Sequence, residues 1–231
     1  MAFKFIELDK TILPKTKGMR VDGHRFYKID GTNYPSVTTV LGIRKTEQLK
    51  EWRQKIGENV ANWEMGRAAH RGKSFHTLVE QYLKGETPSI RDVLPLGLFK
   101  LMKPYIDQID NIHLLEAIMY SPKLTVAGQV DCVAEYNGKL SVIDFKTANK
   151  ERNDDWNKNY YIQTAAYAIM YEELFGTPIE QIVIIMASED GAGRVFIKNK
   201  ADYLSHLEEA IKHFYKYYQE KNKDKIQTNN N

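Results

Sequence analysis

Residues 128–147, GQVDCVAEYNGKLSVIDFKT, decide how the rest of the chain is read. Their β-branched and apolar runs predict two strands, Val126–Tyr136 and Lys139–Lys146. The dipeptide between them, Asn137-Gly138, favours a two-residue type I′ hairpin turn. Such a turn fixes the register: Tyr136 faces Lys139 and, counting back, Asp131 falls opposite Asp144. Side chains alternate along a strand, so Lys146 shares a face with Asp144. That face also carries Val133 and Val142, and the other carries Val130, Cys132, Ala134, Ile143 and Phe145. Two largely apolar faces predict a strand pair inside a covered sheet. Like charges directly opposite destabilise a sheet, and a cation between the two carboxylates would account for the pair. Taken alone, the hairpin also reads as solvated strand ends, with Lys146 as a simple salt-bridge partner.

The chain has 231 residues, a formal charge of +3, a pI near 8.7 and one cysteine, Cys132. That length suits one α/β domain with a helical elaboration. The mild basicity permits a polyanionic partner without requiring one. A lone cysteine excludes a disulfide framework and a four-cysteine zinc or iron–sulfur site. No apolar run is long enough for a bilayer, and the N-terminus lacks a signal-peptide pattern, so the expectation is a cytoplasmic protein with no membrane contact.

Around the hairpin, residues 1–35 read as short strands and turns, including Phe26–Ile29 and the turn Asp30–Asn33. In Tyr34-Pro-Ser-Val-Thr38, Ser36 or Thr38 is placed to cap a short helix, and an exposed cap there would also suit a phosphate. Residues 47–85 predict two helices broken near Gly57, the second with the stripe Phe75, Leu78, Val79 and Tyr82. His76 and Glu80 lie one turn apart on that helix, a spacing that serves a ligand pair or a packed structural histidine. Further elements are a helix over Pro95–Asp110, a strand over Ile112–Tyr120 carrying Glu116, a helix over Tyr160–Phe175, strands over Ile182–Ala187 and Gly193–Ile197, and a last amphipathic helix. The organisation expected is a single domain over 1–222, with helical elaboration at 36–110, core at 111–198, last helix at 200–222 and a disordered tail at 223–231.

The ordered set Gly72-Lys-Ser-Phe-His76-Thr-Leu-Val-Glu80, Gly128-Gln-Val-Asp131, Asp144-Phe-Lys146-Thr and Gln163-Thr-Ala-Ala-Tyr167 resembles the motifs of PD-(D/E)XK nucleases of the RecB-type exonuclease group. Tyr34-Pro-Ser-Val-Thr38 is further similar to organellar and bacteriophage exonucleases of that group, so a bacteriophage origin is among the expectations. The resemblance covers residues 34–198 and implies a restriction-endonuclease-like α/β fold: a mixed central β-sheet flanked by helices, with an N-terminal helical elaboration. It implies a metal-dependent DNA exonuclease acting on single strands or free ends, in replication, recombination or degradation. A flap or branch endonuclease and a non-catalytic binding module of the same fold are the alternatives. With one cysteine, the chain is similar to the branch without an iron–sulfur cluster.

By this resemblance His76, Asp131, Asp144 and the Phe145 carbonyl would ligate Mg²⁺ or Mn²⁺. A carboxylate-held ion can neutralise phosphate charge and make hydroxide available near neutral pH, and an imidazole favours Mn²⁺ relative to a pure oxygen site. Lys146 would orient water or stabilise the transition state, and Gln163 and Tyr167 would position the phosphate or support Lys146. Glu80 is expected to orient His76 or to bind a second ion, and Glu116 to be structural or supporting. Arg67, Arg71, Lys73, Lys150, Arg152 and Lys158 flank these motifs as candidate contacts to the DNA backbone. Trp52, Trp63 and Trp156 are suited to stacking on unpaired bases but are expected mainly in the core.

Overall fold

The hairpin forms in the expected register. Tyr136 pairs with Lys139 and Val133 with Val142. Asn137 and Gly138 both take the left-handed backbone that a type I′ turn requires, with φ of 53° and 72°. The computed structural model describes residues 3–228, with side chains to residue 221. The expected tail lies partly outside that range, and the last helix runs on to Thr228.

In chain order the elements are β1 (Gly18–Val21), β2 (His24–Ile29), β3 (Thr32–Pro35), α1 (Val37–Ile43), α2 (Thr46–Ile56), α3 (Glu58–Leu83), α4 (Val93–Ile106), β4 (Ile109–Ser121), β5 (Val126–Tyr136), β6 (Lys139–Ala148), α5 (Lys158–Phe175), β7 (Gln181–Ser188), β8 (Gly193–Asn199) and α6 (Leu204–Thr228). Strands β1–β2–β3 make a small antiparallel sheet. The central sheet has the order β4–β5–β6–β7–β8, antiparallel except for the β6–β7 pair, which α5 connects. One apolar layer packs α3 and α4 on this sheet through Phe75, Leu78, Met102 and Ile106. The opposite layer brings α1, α5 and α6 onto it through Val40, Ala165, Tyr167, Ala210 and Phe214.

The break between α2 and α3 falls at Gly57, where φ is 86°. Ser36 caps α1, its hydroxyl accepting from the Thr39 N–H at 3.0 Å. Ser36 is buried, so the exposed cap expected for a phosphate is not there. The helix predicted over Pro95–Asp110 is Val93–Ile106, because Ile109 and Asp110 already pair with Tyr136 and Glu135 as the start of β4.

Strands β5 and β6 stay paired only up to Cys132 and Ile143. Beyond that pair, β5 keeps β4 as its neighbour while β6 keeps β7, so the two strands fork. Asp131 and Asp144 are the first residues past the last rung. The Asp131 carboxylate takes over a ladder position, accepting from the Phe145 N–H at 2.9 Å. This corrects one expectation: Val130 packs with Val133 in the α5 layer, whereas Cys132 and Ala134 face α3. Strand β5 turns over at Asp131, which breaks simple alternation.

Candidate active site in the strand fork

Strand β4 makes a matching irregularity. Register places Leu115 against Cys132 and Ala117 against Val130, so Glu116 falls opposite Asp131. Glu116 has φ of 50°, a left-handed conformation uncommon for a non-glycine residue inside a strand. Leu115 packs in the α3 layer while Ala117 packs in the α5 layer, so β4 also turns over at this point. The two turnovers bring Glu116 and Asp131 together under His76 of α3. His76 Nδ1 lies 3.5 Å from Asp131 Oδ2 and 3.7 Å from Glu116 Oε1. Gln129 holds the other Glu116 oxygen at 2.8 Å.

Among the described residues, His76, Glu116 and Asp131 each offer a ligand atom within 4.8 Å of the others, a spacing that suits one metal ion. Glu116, expected to be only supporting, therefore stands with Asp131 where Asp144 was expected. The signal was present in the short turn between Ser121 and Val126, which sets the β4–β5 register. Asp144 instead touches the Lys146 ammonium at 2.5 Å and is 1% exposed. Apart from that ammonium, neither of its carboxylate oxygens has a hydrogen-bond partner. A buried carboxylate with one contact leaves lone pairs unanswered, and a metal ion beside it would use them. The donor set and this carboxylate both fit a divalent ion.

The electrostatics follow from burial and crowding. Burial raises the Asp144 pKa to about 7, with Asp131 adding to the rise and Lys146 opposing it. For His76 burial works against the imidazolium, but Asp131 and Glu116 outweigh it and the pKa rises to about 9. Burial likewise disfavours the Lys146 ammonium, yet Asp144 and Asp131 hold its pKa above the ordinary lysine value. The ammonium also sits 5.1 Å from the centre of the Tyr160 ring, a contact the sequence did not suggest. Burial raises the Glu116 pKa as well, and His76 partly counters it.

Gln163 and Tyr167 point to the same region from α5, with the Gln163 amide donating to the Tyr167 hydroxyl at 3.2 Å. A Cβ at position 128 would come within 2.6 Å of the Tyr167 ring, so Gly128 is what lets that ring lie on β5. Glu80 is not joined to His76; it pairs with Lys84 at 2.6 Å. The Phe145 side chain is buried in the α3 layer, and its N–H serves Asp131.

His76, Lys146 and Tyr160 line a cleft of 1240 Å³, walled by α2 and α3 on one side and residues 147–160 on the other. Lys150, Arg152 and Lys158 line it too, joined by Lys45, whose pKa burial lowers with help from Arg152. Arg71 also borders the cleft but is buried and engaged internally. It donates to Thr147 Oγ1 at 3.1 Å and Asn149 Oδ1 at 2.6 Å, and it pairs with Glu189. Arg67 meets Glu189 as well, so these two expected DNA contacts fasten α3 to the ends of β6 and β7. Lys73 is exposed and lies outside the cleft lining. The tryptophans depart from the core placement expected of them: Trp52, Trp63 and Trp156 are 36%, 61% and 66% exposed. Trp52 and Trp156 line the cleft, and Trp63 lies under the Arg67 guanidinium. Helical spacing could not reveal this, because α2 buries none of its residues.

With the forked sheet, the acidic cluster and the neighbouring lysine in place, comparison with known proteins identifies the class. A sequence profile of the PD-(D/E)XK nuclease superfamily matches residues 36–230, and the chain belongs to that superfamily. The mixed five-stranded sheet flanked by helices is its restriction-endonuclease-like fold. The chain is 30% identical over 172 residues to mitochondrial genome maintenance exonuclease 1 of Homo sapiens, an alignment covering 68% of this chain and 50% of that protein. It is 29% identical over 187 residues to the Xenopus tropicalis protein of the same name, covering 73% and 52%. The chain thus spans about half the length of the curated relatives it matches. A solved putative exonuclease from Eubacterium rectale superposes with a TM-score of 0.46 at 13% identity, over 64% of this chain and 66% of that one. No helix among the described residues is long and apolar enough to cross a membrane.

Proposed function

We propose that residues 1–222 form one nuclease domain that hydrolyses phosphodiester bonds in DNA with a divalent metal ion, working on single strands from their ends. The observation that carries this reading is the fork: His76, Glu116 and Asp131 within 4.8 Å, beside an Asp144–Lys146 pair, with His76 and Lys146 lining the large cleft. His76, Glu116 and Asp131 would hold the ion, with Asp144 and the Phe145 carbonyl as further oxygen donors. The mixture of carboxylates and one imidazole accepts Mg²⁺ or Mn²⁺. When bound, such an ion neutralises phosphate charge and makes hydroxide available near neutral pH.

The chain's own groups do the rest. Lys146, held charged between Asp144 and the Tyr160 ring, donates to a phosphate oxygen as negative charge builds on it. Asp131 keeps its orientation through the Phe145 N–H, and Gln163 and Tyr167 steer the phosphate from α5. Lys150, Arg152 and Lys158 give contacts to the sugar–phosphate backbone that weaken as salt rises. Trp52 and Trp156 offer ring faces to unpaired bases, which a duplex would keep stacked inside itself.

The test is digestion of covalently closed single-stranded circles and of the same DNA linearised, with and without Mg²⁺ or Mn²⁺. End-directed cleavage predicts ion-dependent loss of the linear form and survival of the circle. Loss of both at equal rates would make the protein an endonuclease, and loss of neither would make it a binding module.

A further inference from the structure

Helix α3 supplies His76, yet its first half has little to rest on. Helix α2 before it buries no residue, and between Glu58 and His70 α3 buries only Ala61. The apolar face that seats α3 on the sheet begins at Phe75 and continues through Leu78, Val79 and Leu83. Between these two stretches lies Arg71, which is buried, and an arginine is seldom buried unless it is paired.

Its partner is Glu189, the residue that follows β7. One Glu189 carboxylate oxygen takes Arg71 and the other takes Arg67, a turn earlier on α3. Burial works against the Glu189 charge, but the two guanidinium groups hold its carboxyl below the usual glutamate range. The Glu189 N–H donates to the Ala148 carbonyl at 3.0 Å, so its backbone is tied to the end of β6. Arg71 reaches the same strand end directly, donating to Thr147 Oγ1 at 3.1 Å and to Asn149 Oδ1 at 2.6 Å. The Trp63 ring centre lies 5.6 Å from the Arg67 guanidinium and backs it from the preceding turn.

Thr147 follows Lys146 in the chain, and His76 follows Arg71 by about 7.5 Å of helix. The network therefore joins the helix that brings the imidazole to the strand that brings the ammonium. Apolar contacts tolerate a small slide or rotation of a helix, whereas paired charge-assisted hydrogen bonds fix both. Of His76, Glu116 and Asp131, only His76 comes from outside the sheet, so its place depends on where α3 stands. We propose that Glu189 is a positioning residue: through Arg67 and Arg71 it sets α3 against β6 and so holds His76 over Asp131 and Glu116. The inference rests on the nuclease reading above and adds how the ligand-bearing helix is kept in place.

The measure is Mn²⁺ binding without DNA, read as loss of the free-ion signal in electron paramagnetic resonance. Glu189→Gln keeps the shape and removes the charge, while Arg67→Gln removes one limb and leaves Arg71 paired. Glu189→Gln should bind Mn²⁺ about tenfold more weakly, the lower end for groups that hold a metal ligand in place, and Arg67→Gln should show a smaller loss. Lys200→Gln is the comparison, because Lys200 is also buried beside two carboxylates, Glu172 and Glu180, and none of the three lines the cleft. It should lower the melting temperature and leave Mn²⁺ affinity unchanged. Circular dichroism verifies that each variant is folded, and Arg67→Gln carries the test if Glu189→Gln is not. Unchanged affinity in the folded Glu189 and Arg67 variants, or an equal loss in Lys200→Gln, overturns the inference while leaving the nuclease reading intact. A wild-type protein that binds no Mn²⁺ overturns the metal-dependent reading and the inference with it.

Discussion

The two ends of strand β5 differ in kind. From Cys132 to Tyr136 it has β4 on one side and β6 on the other, and its apolar side chains are buried in both layers. From Val126 to Asp131 it keeps β4, β6 has moved away, and on that side Ala127 makes a single parallel bridge to Ser36. At the closed end β5 is laddered on both sides, with one register shift on the β4 side between Asp110 and Leu114. At the open end side chains do that work: Asp131 takes the Phe145 N–H, and Asp144 is left with the Lys146 ammonium. The sequence is rich in small and apolar residues at both ends, so composition alone does not separate them. What separates them is where hydrogen bonding stops, and the chemistry gathers there.

The largest effect expected is at the open end. Lys146→Ala should lower cleavage about a thousandfold, the upper range for removing one transition-state donor, while circular dichroism remains unchanged. A variant that digests DNA at the wild-type rate would detach the fork from catalysis. The converse substitution lies at the closed end, where Ile182 of β7 pairs with Val142 and is fully buried. Ile182→Ala should cost roughly 2–5 kcal/mol of stability with little change in activity per folded molecule. Urea titration beside an activity assay would show whether the two ends separate in this way. In the cleft, Trp156→Ala should weaken binding of single strands by roughly 1–3 kcal/mol and leave duplex binding nearly unchanged. Anisotropy titrations with both forms check this.

The last effect expected is a pH dependence. In the folded protein Asp144 titrates at about 7 against an ordinary 3.8, and His76 at about 9 against 6.5. Both pKa values are raised, so the folded state holds protons that the unfolded chain releases. The stability contributed by Asp144 is full below 3.8 and lost as pH rises to about 7; that of His76 is full below 6.5 and lost as pH rises to about 9. A bound ion needs the deprotonated ligands, so it should stabilise more as pH rises. Melting temperatures measured with chelator and with saturating Mg²⁺ should therefore diverge between about pH 5 and 9. A constant gap would show that these groups do not titrate with the ion.

Much of this was legible beforehand because a two-residue turn converts sequence into register. Asn137-Gly138 fixed which residue faces which, and that placed Asp131 and Asp144 at one level. It could not reveal that the ladder ends there, because forking depends on which neighbour each strand keeps. Glu116 was underrated for a related reason: its left-handed backbone, φ 50°, is a tertiary outcome that glutamate does not advertise. Arg67 and Arg71 read from the sequence as candidate DNA contacts, and what the sequence does not reveal is that Glu189, more than a hundred residues away, pairs with both. The tryptophans misled because large aromatic residues are usually core; Trp52 sits on α2, which buries none of its side chains, and Trp63 and Trp156 are exposed on other elements.

Position 116 sets two kinds of selection against each other. A left-handed backbone costs an L-residue roughly 1–2 kcal/mol that glycine does not bear. A library randomised at this codon and sorted for heat resistance would be enriched in glycine or asparagine. The same library sorted for DNA degradation would return to an acidic side chain. On the proposed function, a divergence between the two outcomes would mean that the glutamate at this codon gives up backbone ease for its place as a ligand.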